Sequence, residues 1–355
     1  MQYCRDTIAA MSGYVPGEQP KDRKYIKLNT NENPYPPSPA VAKTLAEFAA
    51  ERLRLYPDPE ATALRTTAGE TYGVPPEWLL CGNGSDDLLT IAVRTYVDQG
   101  GAVACADPTY SLYPVLADIQ GAKTIRIPLG SDWREPEDMA DRASGASLLF
   151  LARPNAPTGL SCSRELVAKT AESFPGVVWV DEAYADFADD TCLDFVRDFP
   201  NLVVSRTLSK SYSLAAIRLG IAVAHPERIG EMMKVKDSYN VGMLTQAIGV
   251  AALADRETFE HNRTRIRATR ERLSTALDEL GFEVLPSSSN FVFARPPVDG
   301  AWFQSELKRN GILIRHFAGD RTGAFVRITV GTDAETDEFL RVAASLLPSP
   351  ARHQT

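Results

Sequence analysis

The sequence predicts an α/β protein: a mostly parallel sheet covered by helices, followed by a smaller α+β unit. Three observations carry that expectation. In the middle of the chain, short apolar runs alternate with longer amphipathic stretches, as they do where helices cross over between parallel strands. Several of the apolar runs open onto polar residues, namely Asn155, Asp181, Tyr184 and Lys210. In such sheets ligands collect at the carboxyl ends of the strands. After about residue 255 the texture changes to charged helical pattern and isolated strands.

The elements follow in order. The segment before residue 40 is rich in Pro, Asn and Gly, and is expected to wrap the molecule rather than build a core. Helical pattern runs over Ser85 to Val97, Tyr110 to Ile119 and Arg164 to Ser173. Buried strands are expected at Ala102 to Ala106, Ser147 to Ala152, Val177 to Val180 and Leu202 to Ser205. Arg256 to Leu280 reads as one long amphipathic helix. A strand follows at Phe291 to Ala294, where Phe291 and Phe293 read as core, then a helix near Gly300 to Asn310. Strands near Ile312 to Arg315 and Phe325 to Val330 precede a last helix, Ala334 to Leu346.

Composition narrows the function classes. A chain of 355 residues has room for about two domains and a sizeable core. The net charge of -8 argues against a nucleic-acid partner, whose phosphates want a basic face. No apolar run reaches the roughly 20 residues that span a bilayer. Arg5 and Asp6 stand where a signal peptide needs apolar residues. Cys4, Cys81, Cys105, Cys162 and Cys192 are odd in number, scattered and free of C-x-x-C pairs. They read as small buried hydrophobes in a reducing compartment, so a cytoplasmic location is expected. His225, His261, His316 and His353 make no metal-ligand spacing with them, and no metal is expected.

Four stretches carry chemistry. Leu202-Val203-Val204-Ser205-Arg206-Thr207-Leu208-Ser209-Lys210 delivers a lysine from an apolar strand into a hydroxyl-rich turn, with Arg218 eight residues on. A free amine is a poor nucleophile near neutral pH, but lysine can hold an aldehyde cofactor as an imine. Thr207, Ser209 and Arg218 then read as a phosphate clamp. Cys81-Gly82-Asn83-Gly84-Ser85-Asp86-Asp87 precedes a helical pattern, where glycines let amides at a helix start face an anion, or where Ser85 or Asp86 simply caps the helix. Arg153-Pro154-Asn155-Ala156-Pro157-Thr158-Gly159 is a rigid loop whose Asn155 could offer its amide to a phenolic oxygen. Val178-Trp179-Val180-Asp181 ends a buried strand on a carboxylate, which is costly unless a cation such as a protonated pyridine pairs with it.

Asp181 with Tyr184, then Ser209-Lys210 and Arg218, resembles the fold-type I pyridoxal-phosphate aminotransferases. Three further stretches resemble the histidinol-phosphate aminotransferases among them: Leu28-Asn29-Thr30-Asn31-Glu32-Asn33-Pro34-Tyr35-Pro36, Tyr56-Pro57-Asp58-Pro59, and Val326-Arg327-Ile328-Thr329-Val330-Gly331-Thr332. The resemblance runs from about Tyr14 to the last helix. It implies a large domain at 36–255 with a mostly parallel seven-stranded sheet, a small α+β domain at 256–355, and an N-terminal arm at 1–35 packing on the small domain or a partner. It implies pyridoxal 5'-phosphate as cofactor, small amine and 2-oxo-acid substrates, and a homodimer with shared sites. Lys210, Asp181 and Tyr184 would be catalytic: Lys210 as the attachment point and proton carrier, Asp181 on the ring nitrogen, Tyr184 on the ring oxygen. Tyr110 would cover the ring. Gly84, Ser85, Asp86, Thr207, Ser209 and Arg218 would surround the phosphate, joined by Tyr56 from the neighbouring subunit. Arg327, Arg315, Tyr14, Tyr239 and Asn33 would hold the substrate. The family places asparagine immediately before Pro-Thr-Gly, where this chain has Ala156. The ring oxygen is thereby left to Tyr184 or to a shifted Asn155.

The resemblance implies transamination between histidinol phosphate and 2-oxoglutarate, in histidine biosynthesis. Aromatic amino-acid transamination and threonine-phosphate decarboxylation use similar machinery and remain as alternatives. A cofactor-dependent regulator would need a DNA-binding segment, which the acidic chain gives no sign of.

Overall fold

The computed structural model describes residues 3–348. Its strands are β1 (Ile26–Leu28), β2 (Leu79–Gly82), β3 (Ala102–Asp107), β4 (Lys123–Pro128), β5 (Leu148–Ala152) and β6 (Val177–Asp181), then β7 (Leu202–Thr207), β8 (Gly220–Ala224), β9 (Glu283–Val284), β10 (Phe291–Arg295), β11 (Ile312–His316) and β12 (Val326–Thr329). Seven of them form one sheet in the order β2-β8-β7-β6-β5-β3-β4. Only β8 runs against its neighbours β2 and β7; the other pairs are parallel.

Apolar runs without polar alternation become central strands because both faces of the sheet are covered. Side chains alternate sides along each strand. Val178 and Val180 of β6 enter one core, and Val177 and Trp179 enter the other. Helix Ser85–Tyr96 packs Leu88, Leu89 and Ile91 into the second core. Helix Arg164–Ser173 covers the first face, and Ser163 Oγ accepts its Leu166 N–H at 3.1 Å to cap it.

A five-stranded sheet, β1-β11-β12-β10-β9, forms the second unit. Ile266, Leu273 and Leu277 of the Arg256–Glu279 helix pack on it with Phe303 and Phe339. The last helix, Asp333–Leu346, starts from a capping box between Thr332 and Glu335.

The N-terminal segment corrects one expectation. Residues Ile26–Leu28 pair in parallel with β11, and Leu28 and Tyr35 are core residues. A three-residue strand inside a Pro/Asn-rich stretch carries too little periodicity to be read beforehand. The cysteines also differ in part: four are buried, but Cys4 is exposed. Among the described residues no helix is long and apolar enough to cross a membrane.

The parallel strands and β2 end at the same edge of the sheet, where β8 begins. This edge presents the Gly84–Ser85 turn after β2, Tyr110 after β3, the Arg153–Gly159 loop after β5, Asp181 closing β6, Lys210 after β7 and Arg218 before β8. The second unit brings β12 and the Phe317–Thr322 loop against that edge.

Candidate active site

A cavity of about 680 Å³ opens at this edge. Ser85, Asp86, Tyr110, Asp181, Tyr184, Thr207, Ser209, Lys210 and Arg218 of the large sheet's loops line it, together with Tyr14, Arg315 and Arg327. Twelve of the residues singled out in the sequence therefore meet in one space.

Asp181 is 6% exposed. Its Oδ2 accepts the Tyr113 hydroxyl at 2.8 Å, and its Oδ1 accepts Ala183 N–H at 3.2 Å and Ser205 Oγ at 3.3 Å. Burial pushes its pKa up to about 6, against the opposing pull of Tyr113 and the other donors, and the Asp86 charge adds to the rise. Tyr113 is itself fixed by stacking on Phe150, with ring centroids 4.5 Å apart. Trp179 Nε1 donates to Ser205 Oγ at 2.9 Å and so fixes the third donor.

Lys210 reaches from the turn after β7 with its Nζ 3.4 Å from Thr30 O and 5.6 Å from the Tyr184 ring centroid. The turn is pinned on its other side. Ser211 Oγ donates to Asp186, and Asn33 Nδ2 donates to Ser211 O at 3.1 Å. Asp186 also receives Arg206 Nη1 at 3.0 Å. Glu182, fully buried between Arg153 (3.6 Å) and Arg206 (3.5 Å), completes a charge network behind the site.

Arg218 adopts a left-handed φ of +56°, and its Nη2 lies 3.2 Å from Asp86 Oδ2. Gly84 has φ +86°, and a Cβ there would stand 2.7 Å from Arg218 Nη2. A Cβ on Gly220 would stand 2.6 Å from the Gly84 carbonyl carbon. The close approach of the Gly84 and Gly220 backbones, and of the Arg218 guanidinium to Gly84, thus depends on glycine. Ser209 Oγ is buried without a partner among the described residues. A helix start, an arginine and a spare hydroxyl make an anion cradle.

Arg327 alternates with core residues Val326 and Ile328 on β12 but faces the cavity. Its Nη2 donates to Asn29 O at 3.1 Å, while its buried Nε has no partner. Its guanidinium lies between the rings of Phe291 and Phe317, at 5.1 and 5.3 Å. Burial, reinforced by the Arg315 charge, disfavours its protonated form. A desolvated cation with an unused donor wants an anion. Arg315 donates to Val15 O and Pro16 O, each at 3.2 Å, so it holds the N-terminal segment that carries Tyr14 across the cavity mouth. Tyr14 meets Tyr110 edge-on at 5.9 Å, and the Tyr110 hydroxyl donates to Asp86 Oδ1 at 3.1 Å.

Five expected residues, Asn155, Asn33, Tyr56, Tyr239 and Gly84, stand apart. Asn155 is buried behind the wall, with its amide spent on Pro108 O at 3.0 Å and its Oδ1 on Thr109 Oγ1 at 2.6 Å; Ala156 forms the surface there. Asn33 does not line the cavity; besides Ser211 O it caps Tyr35 N–H at 3.0 Å. Tyr56 is 78% exposed and stacks on Tyr239, with centroids 4.5 Å apart, away from this chain's own cavity. Gly84 acts through backbone alone, as above. Sequence reasoning missed Tyr113, Ser205, Glu182 and Asn31. Asn31 Nδ2 donates to the Tyr184 hydroxyl at 2.9 Å. The alternating apolar and aromatic residues hid Tyr113, whereas Asn31 stood inside a quoted motif.

Comparison with known proteins agrees with this geometry. The family profile for aminotransferase class I and II matches residues 23–342. The chain is 47% identical over 345 residues to a histidinol-phosphate aminotransferase of Synechocystis sp., covering 96% of this chain and 97% of that one. It is 44% identical over 346 residues to the histidinol-phosphate aminotransferase of Citrifermentans bemidjiense, covering 97% and 98%. The crystal structure of the Sinorhizobium meliloti histidinol-phosphate aminotransferase in complex with pyridoxal-5'-phosphate superposes with a TM-score of 0.87 at 27% identity, over 98% of this chain and 97% of that chain. A match of this extent, on a chain whose lysine, aspartate and arginines converge on one cavity, places it plainly: it belongs to the class I and II aminotransferases.

Proposed function

We propose that the chain is a pyridoxal-5'-phosphate-dependent histidinol-phosphate aminotransferase, passing the amino group to 2-oxoglutarate in histidine biosynthesis. The observation that carries the reading is the lining of one cavity by Lys210, Asp181, Thr207, Ser209 and Arg218 together with Arg327. The full-length relatives named for that activity support the substrate.

The residues present fit the cofactor. Asp181 is a buried carboxylate that no cation pairs with among the described residues, and a protonated ring nitrogen would supply one. The glycine-lined cradle, the unpartnered Ser209 Oγ and Arg218 suit its phosphate. When bound, pyridoxal 5'-phosphate supplies an aldehyde for the amino group and a protonated ring that weakens the substrate Cα–H bond.

The chain's residues do the rest. Lys210 Nζ would hold the cofactor's aldehyde and, when free, would carry the substrate Cα proton. Asp181 keeps the ring nitrogen protonated. Tyr184 donates its hydroxyl proton to the ring oxygen, and Tyr110 covers the ring. Gly84, Ser85 and Asp86 offer the amides of a helix start to the phosphate, beside Thr207, Ser209 and Arg218. Arg327 takes the anionic end of either substrate, because a guanidinium suits both carboxylate and phosphate. Tyr14, on the segment held by Arg315, closes the mouth and excludes water.

Tyr56 and Tyr239 gain a role in a homodimer. Leu53, Leu55 and Tyr56 are exposed within four residues of one another, and Tyr56 stacks on the exposed Tyr239. A second copy would cover them and receive Tyr56 beside its own phosphate site, with Tyr239 at the substrate end. The division into an arm at 1–35, a large domain at 36–255 and a small domain at 256–355 is supported by two sheets with separate cores. Free cysteines throughout support a cytoplasmic location.

The test is a half-reaction screen on the purified holoenzyme. Histidinol phosphate and glutamate, each added alone, are expected to convert the cofactor's absorbance band. Conversion by phenylalanine and glutamate but not by histidinol phosphate would overturn the substrate assignment.

A further inference from the structure

Tyr184 has one hydroxyl proton, and what it is spent on is decided by a neighbour. A carboxamide nitrogen only donates. At 2.9 Å from Asn31 Nδ2, the Tyr184 oxygen must therefore accept, and its own proton is left for another group. Among the described residues no other hydrogen bond reaches that hydroxyl.

The orientation of the Asn31 amide is itself determined. The Asn31 backbone N–H donates to Thr329 Oγ1 at 3.0 Å. Thr329 Oγ1 then gives its own proton to Asn31 Oδ1, also at 3.0 Å. With the amide flipped, the buried Thr329 hydroxyl proton would have no acceptor among the described residues, so the oxygen faces Thr329 and the nitrogen faces Tyr184. Asn290 Nδ2 donates to Asn31 O at 3.0 Å and closes the set. Asn31 is 1% exposed and holds φ at +56°, a left-handed conformation that asparagine tolerates better than most residues. Phe291 packs edge-on against the Tyr184 ring at 5.1 Å, so the phenol cannot swing away. On the other wall Ala156 offers no polar group.

We infer that Asn31 is a positioning residue: anchored on Thr329 and Asn290, it forces the Tyr184 hydroxyl to act as a donor toward the cofactor's ring oxygen. This rests on the reading that Tyr184 serves that oxygen. A donor to an oxygen that gains charge on deprotonation favours the deprotonated form of the Lys210-bound cofactor. Asn31→Asp keeps the shape and the tolerance for positive φ. It replaces the donor by an acceptor that takes the Tyr184 proton for itself.

The measurement is a pH titration of the bound cofactor's absorbance in purified holoenzyme without substrate. Asn31→Asp is expected to raise the midpoint by roughly one pH unit, the scale of one lost hydrogen bond to a charged group. Tyr184→Phe is expected to raise it similarly, and the double variant to match Tyr184→Phe alone. Thr329→Val, which adds no charge, is expected to shift the midpoint the same way by less, and it serves if the Asn31 variant fails to fold. An unmoved midpoint in both the Asn31 and Thr329 variants, with Tyr184→Phe still shifting it, would overturn the Asn31 role alone. Additive shifts in the double variant would also overturn it, since the new carboxylate would then act on the cofactor directly. An unmoved midpoint in Tyr184→Phe would instead remove the reading of Tyr184, and the proposal with it.

Discussion

Without its cofactor the protein carries an uncompensated cost at Asp181, and Asp181→Asn should relieve it. Burial pushes this carboxyl up to about 6, against an ordinary value near 3.9. The native state therefore binds the proton more tightly than the unfolded chain does. By linkage, stability of the cofactor-free protein falls as pH rises from about 4 to about 6 and stays lower above that range. Two units at about 1.36 kcal/mol each give a loss of roughly 3 kcal/mol. Asparagine does not titrate and keeps the shape, and the Tyr113 hydroxyl can turn to accept from its amide. The stability difference, variant minus wild type, should be near zero around pH 4 and approach roughly 3 kcal/mol above pH 6. Urea unfolding of both cofactor-free proteins from pH 4 to pH 8 measures it. Added cofactor should reverse the order, because only the carboxylate pairs with a cationic ring. A difference that does not change with pH would refute the reasoning, since Asp181 would then not be a desolvated, titrating group.

Three other perturbations read separate parts of the site. Arg327→Gln should raise KM for both the phosphorylated amine and the 2-oxo acid by roughly 10- to 100-fold while changing kcat less, the expected loss of one charge-assisted contact; steady-state kinetics check both substrates. Gly84→Ala puts a Cβ 2.7 Å from Arg218 Nη2 at φ +86°, and should weaken cofactor binding about tenfold, since a left-handed alanine costs about 1–2 kcal/mol; equilibrium titration of the cofactor-free protein measures this. Arg321 donates to Leu129 O at 2.6 Å and to Gly130 O, with its guanidinium 4.3 Å over the Trp133 ring. Arg321→Ala should free the cavity-lining Phe317–Thr322 loop and raise substrate KM several-fold, on the order of 1 kcal/mol, without moving the cofactor's absorbance titration.

Two parts of this site were legible in the sequence because each follows an apolar run. Asp181 ends the run Val177 to Val180, Lys210 follows the run that opens at Leu202, and a strand buried on both faces announces itself by composition. Arg218 was legible only through its spacing from Lys210. The partners that set their chemistry were not legible, because they come from distant sequence. Tyr113 meets Asp181 across 68 residues and Asn31 meets Tyr184 across 153. Tyr113 sits in the apolar helix Leu112–Gln120 and reads as core until the strand ends are aligned. Within the Leu28–Pro36 motif the sequence favoured Asn33, yet Asn29, Thr30 and Asn31 line the cavity. The choice among neighbours depended on the left-handed turn at Asn31, which no spacing rule supplies. Strand β8 escaped for a different reason: Gly220-Ile221-Ala222-Val223-Ala224 is short and small-residue-rich, and becomes a strand only between β2 and β7.

That motif also explains how two units make one site. Asn29 O accepts Arg327, Thr30 O accepts Lys210, Asn31 meets Tyr184, and Asn33 holds Ser211 O. Four residues of one five-residue stretch thus touch Arg327 of the second unit and Lys210, Tyr184 and Ser211 of the first. The strand just before them is paired into the second unit's sheet. The carbonyls of Asn29 and Thr30 therefore bridge Arg327, on the second unit's sheet, and Lys210, after β7 of the first. The apolar cluster of Trp133, Leu160, Leu285, Phe293 and Phe325 packs residues of both units together. On the proposed reading, Arg327 and Lys210 stand on different units and are bridged by the neighbouring carbonyls of Asn29 and Thr30, so Arg327→Lys is expected to change substrate KM more than kcat.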